Sequence, residues 1–175
     1  MLSLLLLIPF AGALLLALWP GRPAEGRMRT VTLVVLGLQL AWSLVVLARF
    51  DPANSAMQLQ ESLPWVESLG LEYKLGVDGL SLPLVLINAA LTLVSAICTR
   101  DIDKRPRVYF LLLLVISGAV NGAFLAENLL LFFLFYELEL IPLWGLIAIW
   151  GGVNRAYAAT KFLIFTAVSG MLILG

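Results

Sequence analysis

Two glutamates, Glu137 and Glu139, lie near the middle of the apolar segment 129–150. A charged side chain at the centre of a bilayer costs roughly 2.5–3.5 kcal/mol on insertion scales, so both carboxyl groups are expected to face protein, water or a cationic partner. Desolvation disfavours the charged form of a carboxyl group, which lets the group bind and release a proton near neutral pH. The pattern therefore predicts a proton relay at Glu137, with Glu139 as the second candidate. The alternative is that one glutamate pairs with a Lys or Arg only for assembly.

The spacing of the two glutamates separates their side chains. Successive residues of a helix turn by about 100°, so Glu137 and Glu139 point about 200° apart and cannot share one proton. We expect one to face the protein interior and the other an adjacent helix or subunit. Pro142 lacks the N–H that would bond the carbonyl of Leu138, so the helix is expected to loosen there and to offer a place for ordered water.

Two further charged residues lie close to apolar segments. Lys161 precedes the last apolar run and is expected to extend its amine to the membrane interface; the alternative is that it continues a polar route from the glutamates. Asp78 lies in the run Asp78-Gly79-Leu80-Ser81, which is typical of a helix start. We expect its carboxylate to cap that helix rather than to serve as a proton exit.

The composition decides the class of protein that carries these residues. Of the 175 residues, 62% are hydrophobic and 13% are charged, the formal net charge is zero, and there is no His. A basic nucleic-acid-binding protein, histidine catalysis and histidine metal ligation are thereby excluded. The single cysteine, Cys98, excludes an internal disulfide and a cysteine metal cluster. This high share of apolar residues predicts an integral membrane protein.

Apolar runs long enough to span a membrane recur along the chain, since a bilayer core needs roughly 20 residues of helix. They predict an all-α, polytopic bundle with five complete spans and the start of a sixth, at residues 2–19, 30–48, 80–99, 108–126, 129–150 and 162–175. The last run is too short to span, so we expect residues 1–175 to be the N-terminal part of a single, longer membrane domain. The first run lacks a basic region before it, which favours a retained span over a signal peptide.

The loops between the spans differ in charge. Nine of the eleven Lys and Arg residues fall in the loops 20–29, 100–107 and 151–161, and two fall in the loop 49–79 on the opposite side. Positive residues collect on the cytoplasmic side of membrane proteins. The N-terminus and the 49–79 loop are therefore predicted to face the periplasm or an organelle lumen.

The 49–79 loop and the fourth span each carry a local pattern. Residues 69–77 alternate between apolar and polar or small residues, which predicts a strand; Met57, Leu59 and Leu63 are candidates for its partner strand in a small hairpin on the membrane surface. A partner subunit could pair with its edge, and the alternative is a solvated connector. Residues 118–122 form a small-residue pattern that predicts close helix packing, with Asn121 bridging helices.

Four sequence runs together resemble one family. They are GVDGLSL at 76–82, LFFLFYELELIP at 131–142, IAIWGG at 147–152 and YAATKFLIFT at 157–166. The chain resembles the antiporter-like, proton-translocating subunits of respiratory complex I, most of all the subunit-4 type of the photosynthetic (cyanobacterial and plastid) branch. The resemblance covers essentially the whole chain.

The resemblance implies a fold and a mechanism that lie mostly outside these residues. Family members have about fourteen transmembrane helices in two inverted repeats, so this chain would be roughly the first third. Glu137 matches the glutamate of the fifth span, whose lysine partner on the seventh span lies beyond Gly175. Glu139 departs from many respiratory relatives. The 175 residues alone are then not expected to move protons.

The resemblance also implies the setting of the protein. The subunit would lie in a thylakoid or bacterial inner membrane among other membrane-arm subunits, in contact with lipid and not with nucleic acid. It would pump protons while quinone is reduced elsewhere in the complex. Quinone, iron–sulfur clusters and NAD(P)H or ferredoxin would be held by partner subunits, with no cofactor in this chain. Two alternatives remain: a subunit of a multisubunit cation/proton antiporter, and a structural membrane scaffold.

Overall fold

The fold is a bundle of helices with one hairpin at its end. The computed structural model describes residues 1–21, 25–54, 56–66, 70–100, 102 and 104–174, without the side chains of residues 25, 173 and 174. Six helices and two strands follow one another in these ranges: α1 Ser3–Leu18, α2 Glu25–Arg49, β1 Gln58–Val66, β2 Leu71–Val77, α3 Ser81–Cys98, α4 Pro106–Leu125, α5 Leu129–Trp150 and α6 Arg155–Leu174.

Among the described residues, four helical segments are long and apolar enough to cross a membrane: Gly26–Arg49, Ser81–Cys98, Pro106–Leu125 and Leu129–Trp150. The helix α1 has 16 residues, fewer than the roughly 20 that a bilayer core needs. It ends where Pro20 holds Trp19 in an extended conformation, with ψ of 126°, since a residue before proline avoids the helical region. The helix α1 is thus shorter than the predicted span 2–19.

Two helices begin earlier than their apolar runs. The structure starts α2 at Glu25 instead of residue 30, and α6 at Arg155 instead of residue 162. Hydropathy marks only the part of a helix that is immersed in lipid, whereas Arg, Ala and Lys are good helix formers that extend the helix through the interface. One consequence concerns Lys161, which lies within the second turn of α6 and does not open it.

The centre of the bundle is α4, which packs against α1, α3 and α5, while α6 packs against α5. The small residues of α4 that were predicted to pack closely against a neighbouring helix contact two of them, α1 and α5. A Cβ placed on Gly118 would come within 3.0 Å of the ring of Phe10 on α1, and one on Gly122 would overlap the ring of Phe135 on α5. The helix α1 belongs to this packed core, since Leu2, Leu5 and Leu16 have no exposed surface.

A chain of polar side chains joins α2, α3 and α4 inside the bundle. Asn88 Nδ2 donates to Asn121 Oδ1 at 2.8 Å and to the carbonyl of Ser117 at 3.1 Å, so Asn121 bridges two helices as predicted. Ser117 Oγ donates to Gln39 Oε1 at 3.0 Å and lies 3.3 Å from Thr92 Oγ1. Gln39 and Asn121 are fully buried, and the cluster couples three helices where water is excluded.

The two strands form an antiparallel hairpin within the 49–79 loop, with Leu63 opposite Tyr73 and Glu61 opposite Leu75. Hydrogen bonds tie this hairpin to the helix ends. The carboxylate of Glu61 accepts from the backbone N–H groups of Leu2 at 2.8 Å and Ser3 at 3.0 Å. It thereby satisfies donors at the start of α1 that have no partner within the helix.

A second set of contacts ties the hairpin to the turn between α4 and α5. Lys74 Nζ lies 3.0 Å from Glu127 Oε2, and Gln60 Nε2 donates to Glu127 Oε1 at 2.8 Å. The N–H of Glu127 donates to the carbonyl of Lys74 at 2.9 Å. Gly76 leaves room for the Glu127 carboxylate, which a Cβ at that position would overlap. The hairpin is therefore docked on the helix ends.

At the opposite end of the bundle, basic side chains cap helix C-termini. Arg29 Nη2 donates to the carbonyl of Ile97 at 2.7 Å, at the end of α3. Arg107 Nε donates to the carbonyl of Leu16 at 2.6 Å, at the end of α1. Cations are favourable at this end of a helix because its last carbonyls carry partial negative charge. These basic residues therefore also hold the bundle together.

The carboxylate of Asp78 caps α3, as the sequence predicted. Its Oδ1 accepts from the N–H groups of Leu80 at 3.0 Å and Ser81 at 2.7 Å, and Ser81 Oγ accepts from the N–H of Asp78 at 3.0 Å. The backbone hydrogen bond from Ser81 is the main reason why the pKa of Asp78 lies below its ordinary value of 3.8. Asp78 in the run GVDGLSL thus has a structural role at the start of α3.

Replacing Asp78 by alanine is expected to destabilise the protein by about 1 kcal/mol, the usual contribution of a helix cap. The pKa of Asp78 is lower in the folded protein than its ordinary value of 3.8, which applies to the unfolded chain. The stabilisation by the Asp78 carboxylate is therefore fully present above pH 3.8, and it is lost as the pH falls through the folded pKa. Thermal denaturation of the purified full-length protein in detergent, followed by circular dichroism, measures the difference. Asp78→Asn is the control, since its amide oxygen can still accept; equal stability of the Asp78→Ala and unmodified proteins at neutral pH would contradict the capping role.

Candidate membrane carboxylate site

The helix α5 carries both candidate glutamates, and its start is fixed by Asn128. Asn128 Oδ1 accepts from the N–H of Leu131 at 3.1 Å, while its Nδ2 donates to the carbonyl of Gly70 in the hairpin at 3.0 Å. The helix continues through Pro142, which is buried. Proline has no N–H for the carbonyl of Leu138; the loosening expected there stays a prediction.

The side chain of Glu137 points into the interface between α5 and α6. Its Oε1 is inaccessible to solvent and has no hydrogen-bond partner among the described residues. The nearest part of α6 is Gly170, where an added Cβ would overlap Glu137 Oε1 and lie 3.2 Å from the ring of Tyr136. Glu137 therefore lies at a point where the two helices approach closely.

Glu139 is half-buried, as Glu137 is. It forms no hydrogen bond or ion pair with the residues that the structure describes. Neither a shared hydrogen bond nor a shared partner joins it to Glu137 in that part of the chain, in agreement with the separation of about 200° along the helix. A role for Glu139 as a second proton relay stays a prediction.

Lys161 is not brought to the glutamates by α6. It precedes Gly170 by nine residues, which is two and a half turns, so the two lie on opposite faces of the helix. The Lys161 side chain is exposed, and its Nζ lies 5.8 Å from the ring centres of both Tyr157 and Phe165, one turn before and after it. These rings attract the ammonium group through cation–π contacts. A continued polar route through Lys161 stays a prediction.

The arrangement defines what Glu137 can do chemically. A carboxyl oxygen buried without a donor is unfavourable until it receives a hydrogen bond. A proton on the carboxyl group would remove its charge, and a water molecule or a cationic side chain could donate a hydrogen bond to the buried oxygen. Within the described residues, no three His, Cys, Asp or Glu side chains come together to hold a metal ion. Among the described residues, Glu137 Oε1 thus lacks the hydrogen-bond donor that its burial requires.

Sequence reasoning missed several residues that build this architecture. Gly170 lies in an apolar run and gives no signal of its own, and Gln39 and Asn88 are single polar residues within predicted spans. Glu61 and Glu127 look like ordinary loop charges in the sequence. In the structure Glu61 binds a group 58 residues away, and Glu127 binds one 67 residues away and pairs with Lys74. Only the packing of distant elements makes these roles visible.

The fold and the site define a class: a polytopic, helical membrane protein with a carboxyl oxygen buried between two of its helices. Residues 126–175 match the sequence profile of the family described as "NADH:quinone oxidoreductase/Mrp antiporter, TM". This matched range contains α5, α6, both glutamates and Lys161.

The chain as a whole is homologous to chain 4 of NAD(P)H-quinone oxidoreductases of cyanobacteria, in agreement with the resemblance seen in the sequence. It is 41% identical to NAD(P)H-quinone oxidoreductase chain 4 2 of Microcystis aeruginosa over 99% of its own length and 31% of that relative. The chain spans about a third of the length of the curated relatives it matches.

Solved structures share the fold. The chain superimposes on respiratory complex I from Thermus thermophilus with bound NADH with a TM-score of 0.79 and 28% identity, over 97% of this chain and 33% of that one. It superimposes on the Mrp complex from Dietzia sp. DQ12-45-1b with a TM-score of 0.81 and 20% identity, over 99% of this chain and 18% of that one. The second likeness concerns the fold alone.

Proposed function

We propose that the chain is part of a membrane-arm subunit of a proton-pumping NAD(P)H- or ferredoxin:quinone oxidoreductase, in which Glu137 relays protons. The single observation that carries the relay is Oε1 of Glu137, a carboxyl oxygen buried between α5 and α6 that no described residue hydrogen-bonds. The homology to chain 4 of cyanobacterial NAD(P)H-quinone oxidoreductases supports the choice of complex.

The relay needs groups in addition to Glu137. A water molecule or a cationic side chain has to approach Glu137 Oε1 so that a proton can enter or leave, and the family resemblance assigns that role to a lysine beyond Gly175. Glu139 is the second relay candidate, because it too is partly removed from water without a charge partner among the described residues. Lys161 is a third candidate whose role requires an element that covers its exposed face.

Redox chemistry belongs to other subunits in this proposal. Quinone, iron–sulfur clusters and NAD(P)H or ferredoxin are bound by partner subunits, and this chain contributes no redox group. Quinone reduction changes the charge of neighbouring sites, and the buried carboxyl responds by taking up or releasing a proton. Other membrane-arm subunits and lipid are the contacts of the chain. The outer edge of β1 pairs with no further strand among the described residues, and it is suited to pairing with one such subunit.

We place the protein in a thylakoid or bacterial inner membrane with the hairpin on the lumenal or periplasmic side. The argument is the distribution of charge between the two ends of the bundle. Arg29, Lys104 and Arg107 lie at the end opposite the hairpin, and basic residues collect on the cytoplasmic side. The N-terminus of α1 is bound to Glu61 of the hairpin and lies on the same side.

The alternative is a subunit of a cation/proton antiporter, which the description of the matched family also names. Affinity purification of the full-length protein from its own membranes separates the two proposals. We expect co-purification of an iron–sulfur, quinone-binding arm and quinone reduction that acidifies one side of the membrane. Purification with antiporter subunits alone, and cation-driven proton exchange without quinone reduction, would establish the alternative.

A further inference from the structure

We infer that Gly170 is a positioning residue for the carboxyl group of Glu137: its missing side chain provides the space that the carboxyl group occupies. The inference rests on the proposed relay role of Glu137 and adds to it a residue on a different helix. The contact joins α5 and α6 across 33 positions of the sequence.

A side chain at position 170 would meet the end of the Glu137 side chain, which would have to move. The three heavy atoms nearest to an added Cβ all belong to two consecutive residues of α5: Oε1 and Cδ of Glu137 and Cε1 of Tyr136. The Cδ atom would lie at 3.5 Å and the tyrosine carbon at 3.2 Å, while Oε1 would overlap the added atom. Gly170 itself is buried, so the carboxyl oxygen fills this space instead of solvent.

The helix has no other evident reason for a glycine here. Glycine within a helix is less favourable than alanine by roughly 0.5–1 kcal/mol, and Gly170 has the ordinary helical backbone of its neighbours in α6. Its role is therefore the close approach of a neighbouring side chain. Thr166, one turn earlier on the same face, donates its hydroxyl to the carbonyl of Phe162 at 2.6 Å, so its hydroxyl proton is already engaged within α6.

The consequence is that α6 determines where the proton-carrying group lies. Alanine at position 170 would force the Glu137 carboxyl group to another rotamer or separate the two helices. Either movement changes the distance to whatever group exchanges the proton. Displacement of a reacting group by about 1 Å can slow a reaction by as much as a hundredfold.

The test uses the intact complex with the full-length subunit and the variant Gly170→Ala. We expect proton translocation to fall about tenfold or more, as for a misplaced reacting group. We also expect a changed rate of Glu137 modification by dicyclohexylcarbodiimide, measured by mass spectrometry of the peptide. Gly37→Ala is the matched control, because it lies in a membrane helix and an added Cβ there meets nothing within 4 Å.

A double variant distinguishes positioning from general damage. Glu137→Asp withdraws the carboxyl group by one carbon–carbon bond, so Gly170→Ala combined with Glu137→Asp relieves the overlap. We expect the double variant to translocate protons faster than Gly170→Ala alone or, if Gly170→Ala does not assemble, to restore assembly. Absence of both effects in the double variant would overturn the inference.

Failure of the proposed relay and failure of the inference about Gly170 give different experimental results. If Glu137→Gln leaves proton translocation unchanged, the proposed relay fails, yet carbodiimide modification in Gly170→Ala still reports whether position 170 places the carboxyl group. If Gly170→Ala leaves both the modification rate and proton translocation unchanged while Glu137→Gln abolishes translocation, the relay stands and Gly170 is not a positioning residue.

Discussion

Replacing Glu137 by glutamine in the full-length subunit is expected to leave the complex assembled and to abolish proton translocation. Glutamine has nearly the same shape, so it can occupy the space beside Gly170 and keep α5 packed against α6. It cannot release a proton, and loss of a group that transfers protons typically slows a reaction by at least a hundredfold or so. Quenching of a pH-gradient dye in membrane vesicles, with native electrophoresis to verify assembly, measures both effects.

Two companion variants sharpen this result. Glu72→Gln removes a carboxylate from the exposed side of the hairpin and is expected to translocate protons like the unmodified complex. Glu139→Gln tests the second candidate: a loss as large as that of Glu137→Gln would make Glu139 a required relay, whereas unchanged pumping would assign it no role in the relay. Failure of Glu137→Gln to assemble, with normal assembly of the other two variants, would favour a structural role.

The second large effect is expected at the contact between α4 and α5. Gly122→Ala places a methyl group where it would overlap one edge of the Phe135 ring. Overpacking of a close-packed interior typically destabilises by 1–3 kcal/mol, with about 2 kcal/mol expected here. We therefore expect much less assembled complex in the membrane, measured by native electrophoresis and by the thermal stability of the purified subunit.

Graded variants test the steric cause. Gly118→Ala is expected to be milder, since its Cβ would lie 3.0 Å from Phe10, a distance that a small ring movement can relieve. Combining Gly122→Ala with Phe135→Leu removes the ring edge and is expected to restore assembly. If Gly122→Ala assembles as well as Gly118→Ala does, the close α4–α5 contact is not what holds the bundle together.

The sequence predicts the helices best where local signals coincide with the limits of the apolar run. The helix α5 has the predicted bounds, 129–150, because Asn128 caps its start and Gly151 follows its end. The helices α2 and α6 begin before the predicted apolar runs because their charged first turns lie outside the apolar window. Local chemistry also predicts the cap by Asp78, since all its partners lie within three residues.

Local signals also predict part of the site around Glu137. Helical periodicity separates Glu137 from Glu139, but it does not tell which of them meets a neighbouring helix. That depends on how α6 packs on α5, which brings Gly170 to Glu137. The polar chain from Gln39 through Ser117 likewise joins residues 78 positions apart. Such contacts arise from tertiary packing, and no local pattern encodes them.

The claim that Glu137 carries protons is tested most directly by counting the protons translocated per assembled complex in liposomes, with an entrapped pH indicator. The purified complex with Glu137→Gln is compared with Glu72→Gln and with the unmodified complex, each started by its electron donor and quinone. The account predicts no pH change with Glu137→Gln and an unaltered one with Glu72→Gln. A pH change with Glu137→Gln equal to that of the unmodified complex would contradict it.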